Sequence, residues 1–161
     1  MAKDSDYSRG LPSEAETVCV PHTYNVMSGL EYYAGKAWYE KRVLIPEDLK
    51  GRHFRLMFEA VYHDAVVFVN GNKVGEHIGK GYTPFSFDVT SYLRAGEENL
   101  LTVEVDNSTL SITSRTHVRS TGRMTEEYTA MSVFMSVDHD PYVMFISHQS
   151  CRSRTVSAPH I

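Results

Sequence analysis

From Phe58 to His77 the chain reads FEAVYHDAVVFVNGNKVGEH. The run 65–69 has the length of one strand and is apolar at every position, which predicts a strand covered on both faces, or nearly so. It ends at Asn70-Gly71, two residue types that tolerate positive φ and are typical of tight hairpins. Residues 73–75 would be the return strand. This stretch therefore predicts a β-hairpin inside a sheet.

The segments around the hairpin alternate between apolar and polar residues. This period of two runs through residues 53–60, 85–90 and 101–106, and it indicates half-buried strands because successive strand side chains point to opposite faces. Residues 46–51 and 95–99 read as turns, the first with Pro46 at a helical start. Short strands with regular turns and no long helical period predict an all-β, antiparallel, jelly-roll-like β-sandwich.

Composition excludes several classes of protein. A net charge of −4 over 161 residues gives no electrostatic reason to expect nucleic acid or a membrane surface as a partner. No apolar run has the length of a membrane span, and residues 1–30 contain no signal peptide, so we expect a cytoplasmic protein. The two cysteines form no disulfide framework, and Cys19, between Val18 and Val20, is expected to be a buried free thiol. No cofactor is implied.

The chain changes character near Asp106. All six lysines lie at or before Lys80, whereas serine and threonine supply 17 of the 55 residues after Asp106. Residues 132–146 are apolar enough for one or two strands, but the region shows no clear periodicity. We therefore interpret the two parts of the chain separately.

A series of motifs before Asn107 resembles glycoside hydrolase family 2. In order, they are VPHTYN (20–25), YYAGKAWY (32–39), FEAV (58–61), VFVNG (67–71), VGEH (74–77), GYTPFSFDVT (81–90) and VEVDN (103–107). They are similar to the sugar-binding domain that opens β-galactosidases and β-glucuronidases. The resemblance implies a sandwich domain over residues 17–107 that is incomplete at both ends, a flexible N-terminal remnant over 1–16, and a divergent, poorly ordered tail over 108–161.

Two motifs that the family carries after this point are absent as translated. The family continues through Phe-Asp-Trp-x-Asn and Gly-Gly-Ile-Tyr-Arg-Asp-Val. Codons that encode residues 124–132, read from the third base of the Met124 codon, can spell Asp-Gly-Gly-Ile-Tyr-Arg-Asp-Val. In the same shifted reading frame, the codons for residues 119–123 can spell Phe-Asp-Trp-x-Asn immediately upstream. This indicates a truncated family domain with a frameshift between Asn107 and Val118, after which the tail is translated out of frame.

The resemblance also implies where catalysis would lie. Family enzymes use two glutamates at the mouth of a (β/α)₈ barrel, and such a barrel needs roughly 250 residues. We therefore assign no catalytic residue to this chain and expect it to be inactive alone. Its intact parent would hydrolyse terminal β-galactosides or β-glucuronides. The pairs Glu97-Glu98 and Glu126-Glu127 are interpreted as solvated charge, and the cluster 138–140 (Asp-His-Asp) as accidental, so no metal site is assigned.

Carbohydrate contact is the remaining candidate function. Aromatic faces and short polar side chains recognise sugars, and the candidates are Asn70 and Tyr82, whereas Trp38 is expected in the core. His22 and His77 are expected to make structural hydrogen bonds. Contact with carbohydrate in this fragment would be weak or absent, and the main partner would be the missing catalytic barrel. The alternatives are a stand-alone carbohydrate-binding module and a domain that docks on a separately encoded barrel.

Overall fold

The computed structural model of the protein describes residues 6–20, 22–30, 33–108, 132–137, 143–144 and 153–157, the last three ranges as backbone only. Its strands are β1 (Glu16–Val18), β2 (Lys36–Leu44), β3 (Phe54–Ala60), β4 (Asp64–Val69), β5 (Asn72–His77), β6 (Phe85–Asp88), β7 (Glu98–Asp106), β8 (Ser132–Val137), β9 (Val143–Met144) and β10 (Ser153–Ser157). The helical segments within these ranges are three 3₁₀ turns at Tyr24–Val26, Glu47–Leu49 and Thr90–Tyr92. The predicted all-β class is confirmed.

The strands form two antiparallel sheets. The larger sheet has the order β1-β10-β2-β7-β4-β5, and the smaller has the order β6-β3-β8-β9. In the larger sheet β7 lies between β2 and β4, with Val103 opposite both Tyr39 and Val67. The register is continuous over nine residue pairs from Lys36–Asp106 to Leu44–Glu98. This long pairing makes β2 and β7 the centre of the larger sheet.

The core lies between the two sheets. Strand β3 buries alternate residues, as its period of two predicted, and Leu56 and Phe58 are 0% and 1% exposed. The facing sheet contributes inward side chains from β2, β4 and β7, including Tyr39, Val67 and Val103. Burial of this contiguous apolar cluster is the main force that holds the sheets together.

The outer face of the larger sheet is covered as well, by residues 6–11. The ring of Trp38 on β2 stacks on Phe68 of β4 at 5.6 Å and meets Tyr7 edge-on at 6.0 Å. Thr102 is 0% exposed and donates a hydrogen bond to the carbonyl of Ser8 at 2.9 Å. Trp38 is therefore buried, as expected, but in a second apolar layer outside the core between the sheets. The flexibility predicted for residues 1–16 stays a prediction.

Beyond Asn107, the described residues form three strands. Strand β8 pairs with β3 from Phe54–Val137 to Ala60–Ser132, with a register shift between Phe58 and Ala60. Strand β10 pairs with β2 on one side and β1 on the other. The segment 132–146, which the sequence left open, thus contributes β8 and β9 to the smaller sheet. Among the residues the structure describes, no helix has the length and apolar character to cross a membrane.

Candidate functional site

Asn70 lies at the tip of the β4–β5 hairpin and has φ +50°, as the hairpin motif predicted. Its amide nitrogen donates to the carbonyl of Tyr92 at 2.8 Å and to Oδ1 of Asn99 at 2.9 Å. Its amide oxygen accepts the N–H of Leu100 at 2.9 Å. Both amide protons are therefore engaged within the protein, and the side chain ties the hairpin to the start of β7.

Tyr82 lies in the loop between β5 and β6, and 68% of it is exposed. One face of its ring rests on Tyr62, with ring centroids 5.2 Å apart and a tilt of 41°. The approach of the loop requires glycine at position 81, because a Cβ there would lie 2.5 Å from Cδ2 of Tyr62. An exposed aromatic ring supported from behind is suited to stacking on the apolar face of a sugar.

The loop that carries Tyr82 is held by hydrogen bonds on both sides. Nε2 of His77 lies 3.1 Å from the carbonyl of Lys80 and 3.0 Å from Oγ1 of Thr83. A carboxylate oxygen of Asp64 accepts the N–H of Gly79 at 2.7 Å. His77 thus makes the structural hydrogen bonds expected of it. These contacts fix the loop, so the Tyr82 ring is presented by a defined backbone.

We call the group Tyr62, His63, Asp64, His77 and Tyr82 the Tyr82 cluster. Within it, Nδ1 of His63 lies 2.7 Å from Oδ1 of Asp64, and both side chains are 15% exposed. The ring of His77 stacks on Phe85 at 4.1 Å. The cluster thus joins the exposed ring of Tyr82 to a pair of polar side chains.

The two predicted sugar-contacting residues do not share a site. Asn70 follows the last residue of β4, whereas Tyr62 and Tyr82 lie beside its first residue, Asp64. A six-residue strand is about 17–20 Å long at 3.3 Å per residue. Asn70 and Tyr82 therefore lie at opposite ends of the sandwich, and only Tyr82 presents its side chain outward. Carbohydrate contact at either residue stays a prediction.

The paired carboxylates Glu97 and Glu98 are solvated, as predicted. Glu97 pairs with Arg94 at 3.5 Å and Glu98 with Arg42 at 3.3 Å, and both carboxylates are more than half exposed. Each glutamate thus serves a different surface ion pair. The pair Glu126-Glu127 and the cluster 138–140 lie outside the described residues. In the part of the chain that the structure describes, no three metal-binding side chains come together.

The prediction for Cys19 is wrong. The residue is exposed and disulfide-bonded, whereas the sequence predicted a buried free thiol. The apolar neighbours Val18 and Val20 pack against the edge of the core, but the intervening side chain turns away from it. Alternation along an extended segment explains the difference, because a short apolar run does not place every member on one face.

His22 makes a hydrogen bond of 3.1 Å through Nδ1 to the hydroxyl of the buried Tyr39. Burial lowers the pKa of the His22 imidazole, against a smaller opposing effect of Glu16. Below the ordinary pKa of 6.5, the folded state therefore binds fewer protons than the unfolded chain at this position. The stability that neutral His22 confers is present above that pH and is lost as the pH falls.

This gives a testable pH dependence. In the His22→Asn variant, we expect a smaller loss of stability than in the wild type between about pH 7 and about pH 5. The measurement is the urea midpoint of unfolding at each pH, in the wild type and in His22→Asn. An unchanged slope in His22→Asn would show that this imidazole does not contribute.

Comparison with known proteins identifies the family. A sequence model described as "Glycosyl hydrolases family 2, sugar binding domain" matches residues 15–137. The chain belongs to this family. The match in glycoside hydrolase family 2 extends beyond Asn107 and includes strand β8.

Curated relatives carry two names. The chain is 42% identical over 100 residues to a β-galactosidase of Thermoanaerobacter pseudethanolicus, covering 59% of this chain and 13% of that protein. It is 35% identical over 119 residues to a β-glucuronidase of Formosa agariphila, covering 66% of this chain and 12% of that protein. The chain thus spans about an eighth of the length of these two relatives.

Solved structures agree with the family assignment. The β-glucuronidase of Faecalibacterium prausnitzii superimposes with a TM-score of 0.64 at 25% identity, covering 84% of this chain and 29% of that one. The β-glucuronidase of Bifidobacterium dentium gives 0.58 at 39% identity, covering 63% of this chain and 16% of that one. The β-sandwich is therefore the fold of a family 2 sugar-binding domain.

Proposed function

We propose that this chain is a non-catalytic sugar-binding sandwich of a family 2 glycoside hydrolase and that it has no hydrolase activity by itself. The observation that carries the proposal is the family match over residues 15–137, in a chain of 161 residues. A (β/α)₈ barrel needs roughly 250 residues, so these 161 residues cannot form one beside the sandwich. The parent enzyme would hydrolyse terminal β-galactosides or β-glucuronides, and the barrel would be the main partner of this domain.

The test of inactivity uses the purified 161-residue chain with 4-nitrophenyl β-galactoside and 4-nitrophenyl β-glucuronide. We expect release of nitrophenol at the rate seen without protein. Turnover that copurifies with the chain through two columns, and that a core-disrupting variant abolishes, would contradict the proposal.

Carbohydrate contact is proposed for Tyr82. Its ring is exposed, is backed by Tyr62, and sits on a loop fixed by His77. Titration calorimetry with galactose, glucuronate and short oligosaccharides tests the contact. Millimolar or tighter binding favours a stand-alone carbohydrate-binding module over an inert fragment.

If binding is detected, we expect Tyr82→Ala to weaken it by roughly tenfold or more, because a stacked aromatic ring contributes about 0.5–1.5 kcal/mol beyond its buried area. The matched control is Leu44→Ala, which removes another exposed apolar side chain (62% exposed) from the opposite end of the sandwich. Equal sugar affinity in Tyr82→Ala and Leu44→Ala would show that the sugar does not bind at Tyr82.

Docking on a separately encoded barrel is the second candidate. Ile78 and Tyr82 are 51% and 68% exposed and belong to the same loop, which therefore presents apolar surface to a partner. Coexpression with a family 2 barrel that lacks its own sandwich tests this. We expect copurification of the wild type and its loss in the double variant Ile78→Ser, Tyr82→Ser.

The change of reading frame after Asn107 is proposed only from the codons that the genetic code allows for these residues. The nucleotide sequence of codons 118–133 tests it directly, because the shifted frame must spell the Phe-Asp-Trp and Gly-Gly-Ile-Tyr-Arg motifs. Any other reading of those codons refutes the frameshift and leaves the family assignment intact.

A further inference from the structure

A cleft of about 360 Å³ opens at the end of the sandwich opposite the Tyr82 cluster. It lies between residues 49–52, which begin at the last residue of the second 3₁₀ turn, and residues 90–95, which precede β7. Its position at this end follows from the register of the larger sheet, in which Leu44 pairs with Glu98. A cleft of this size is in the range of small-molecule sites.

The floor and walls of the cleft are apolar. Ile45 and Phe54, which are 0% and 5% exposed, form its base and belong to the core. Leu49, Leu93 and Ala95 pack against the core from the two sides. Leu49, Leu93 and Ala95 are partly exposed, so they form the apolar surface that is open to a ring, and their packing on the core holds them in place.

The rim of the cleft is basic. Among the residues that the structure describes, the charged residues lining it are Lys50, Arg52 and Arg94, although the chain as a whole carries −4. Lys50 and Arg94 pair with exposed glutamates at 3.0 and 3.5 Å, and such surface pairs are worth little. Arg52 makes no ion pair with any residue that the structure describes.

Two further features shape the cleft, one by leaving its edge open and one by holding its sides together. Gly51 has φ +81°, and a Cβ built on it meets no atom within 4 Å, so the backbone between Lys50 and Arg52 borders open space. The hydroxyl of Thr90 is hydrogen-bonded to the backbone of Phe54, at 2.8 Å from its nitrogen, and holds the two sides of the cleft together. The cations are thus carried on two segments that this hydrogen bond ties together.

We propose that this cleft binds a small organic anion that carries a carboxylate on an apolar ring. The ring would lie on the partly exposed side chains of Leu49, Leu93 and Ala95. The carboxylate would meet the guanidinium groups of Arg52 and Arg94. A planar guanidinium matches a carboxylate with two parallel hydrogen bonds, which selects this anion over a neutral ring of the same size. The site is separate from the Tyr82 cluster and does not depend on it.

The test uses the full 161-residue chain and a matched pair of probes, 2-naphthoate and 2-naphthalenemethanol, which share the ring and differ in charge. We expect naphthoate to bind roughly tenfold more tightly, since one charge-assisted contact is worth about 1.5 kcal/mol or more. Naphthoate should shift the amide NMR signals of Gly51 and Thr90, and added salt should weaken it. Equal affinity of the two probes, or shifts confined to other residues, would overturn the proposal.

Two kinds of control are needed. One tests whether the ring contributes to affinity beside the charge, and the other tests whether naphthoate binds at this cleft. Inorganic phosphate should bind more weakly than naphthoate, and equal binding would overturn the role of the apolar walls. Arg52→Gln combined with Arg94→Gln should weaken naphthoate about tenfold, whereas Lys73→Gln, which removes an exposed cation elsewhere, should not. Tyr82→Ala should leave naphthoate binding unchanged even where it abolishes sugar binding. If the double arginine variant does not fold, the amide NMR shifts that naphthoate causes in the wild type decide whether it binds at this cleft.

Discussion

Replacing Leu56 by alanine is expected to lower the free energy of unfolding by about 2–5 kcal/mol. Leu56 is fully buried on β3, within the apolar cluster between the two sheets. The truncation removes three carbon atoms and leaves a cavity that a close-packed sandwich cannot refill without moving a strand. In a domain whose total stability is about 5–15 kcal/mol, this loss is large.

The measurement is urea denaturation followed by the fluorescence of Trp38, which is the single tryptophan of the chain and is 4% exposed. The matched control is Met57→Ala, at the next position of the same strand, where the side chain is 43% exposed on the opposite face. We expect it to cost less than about 1 kcal/mol. Equal losses in the two variants would contradict the inward-outward assignment of β3.

Replacing Asn70 by glycine is expected to cost about 2–3 kcal/mol of stability without a specific loss of carbohydrate affinity. The side chain makes three hydrogen bonds, to Tyr92, Asn99 and Leu100, each worth about 0.5–1.5 kcal/mol. Glycine accepts the positive φ of this position, so the substitution removes the hydrogen bonds without adding backbone strain. Removal also deprives Asn99, 2% exposed, of one of its partners.

The control for Asn70 is Asn72→Ala on the same hairpin. The Asn72 side chain is exposed and donates to backbone carbonyls at 3.2 and 3.5 Å, so its loss should cost under about 1 kcal/mol. Calorimetry with galactose and glucuronate, under conditions in which both variants are folded, gives the second readout. A fall in sugar affinity with unchanged stability would make Asn70 a contact residue and refute its structural role.

The strands of the first part of the chain were predictable because each carries its own pattern. The hairpin at Asn70-Gly71, the alternation of β3 and the turn after Pro46 all depend on local chemistry: tolerance of positive φ, the pleat of a strand, and the preset φ of proline. The family motifs could be recognised from their residues and their order along the chain, without knowledge of the fold. The family model confirms them over residues 15–137.

The candidate site was only half predictable. Asn70 and Tyr82 were chosen by residue type and motif, and nothing in either motif states how far apart they lie. Sequence reasoning does not find the supporting residues Tyr62, His63 and Asp64, although Tyr62 directly follows the FEAV motif. The basic cleft was missed as well, because its three cations come from two segments that are about forty residues apart in the chain.

By itself the sequence determined the class of the fold, the hairpin, the inward face of β3 and the family, since each follows from neighbouring residues or from their order. Tertiary structure alone decided that residues 6–11 cover Trp38 and Thr102, that Cys19 faces outward, and that Asn70 and Tyr82 are separated by the length of β4. A period of two reports which side chains share a face. What covers that face, and which loops meet at its ends, depends on strand register and on segments distant in the chain.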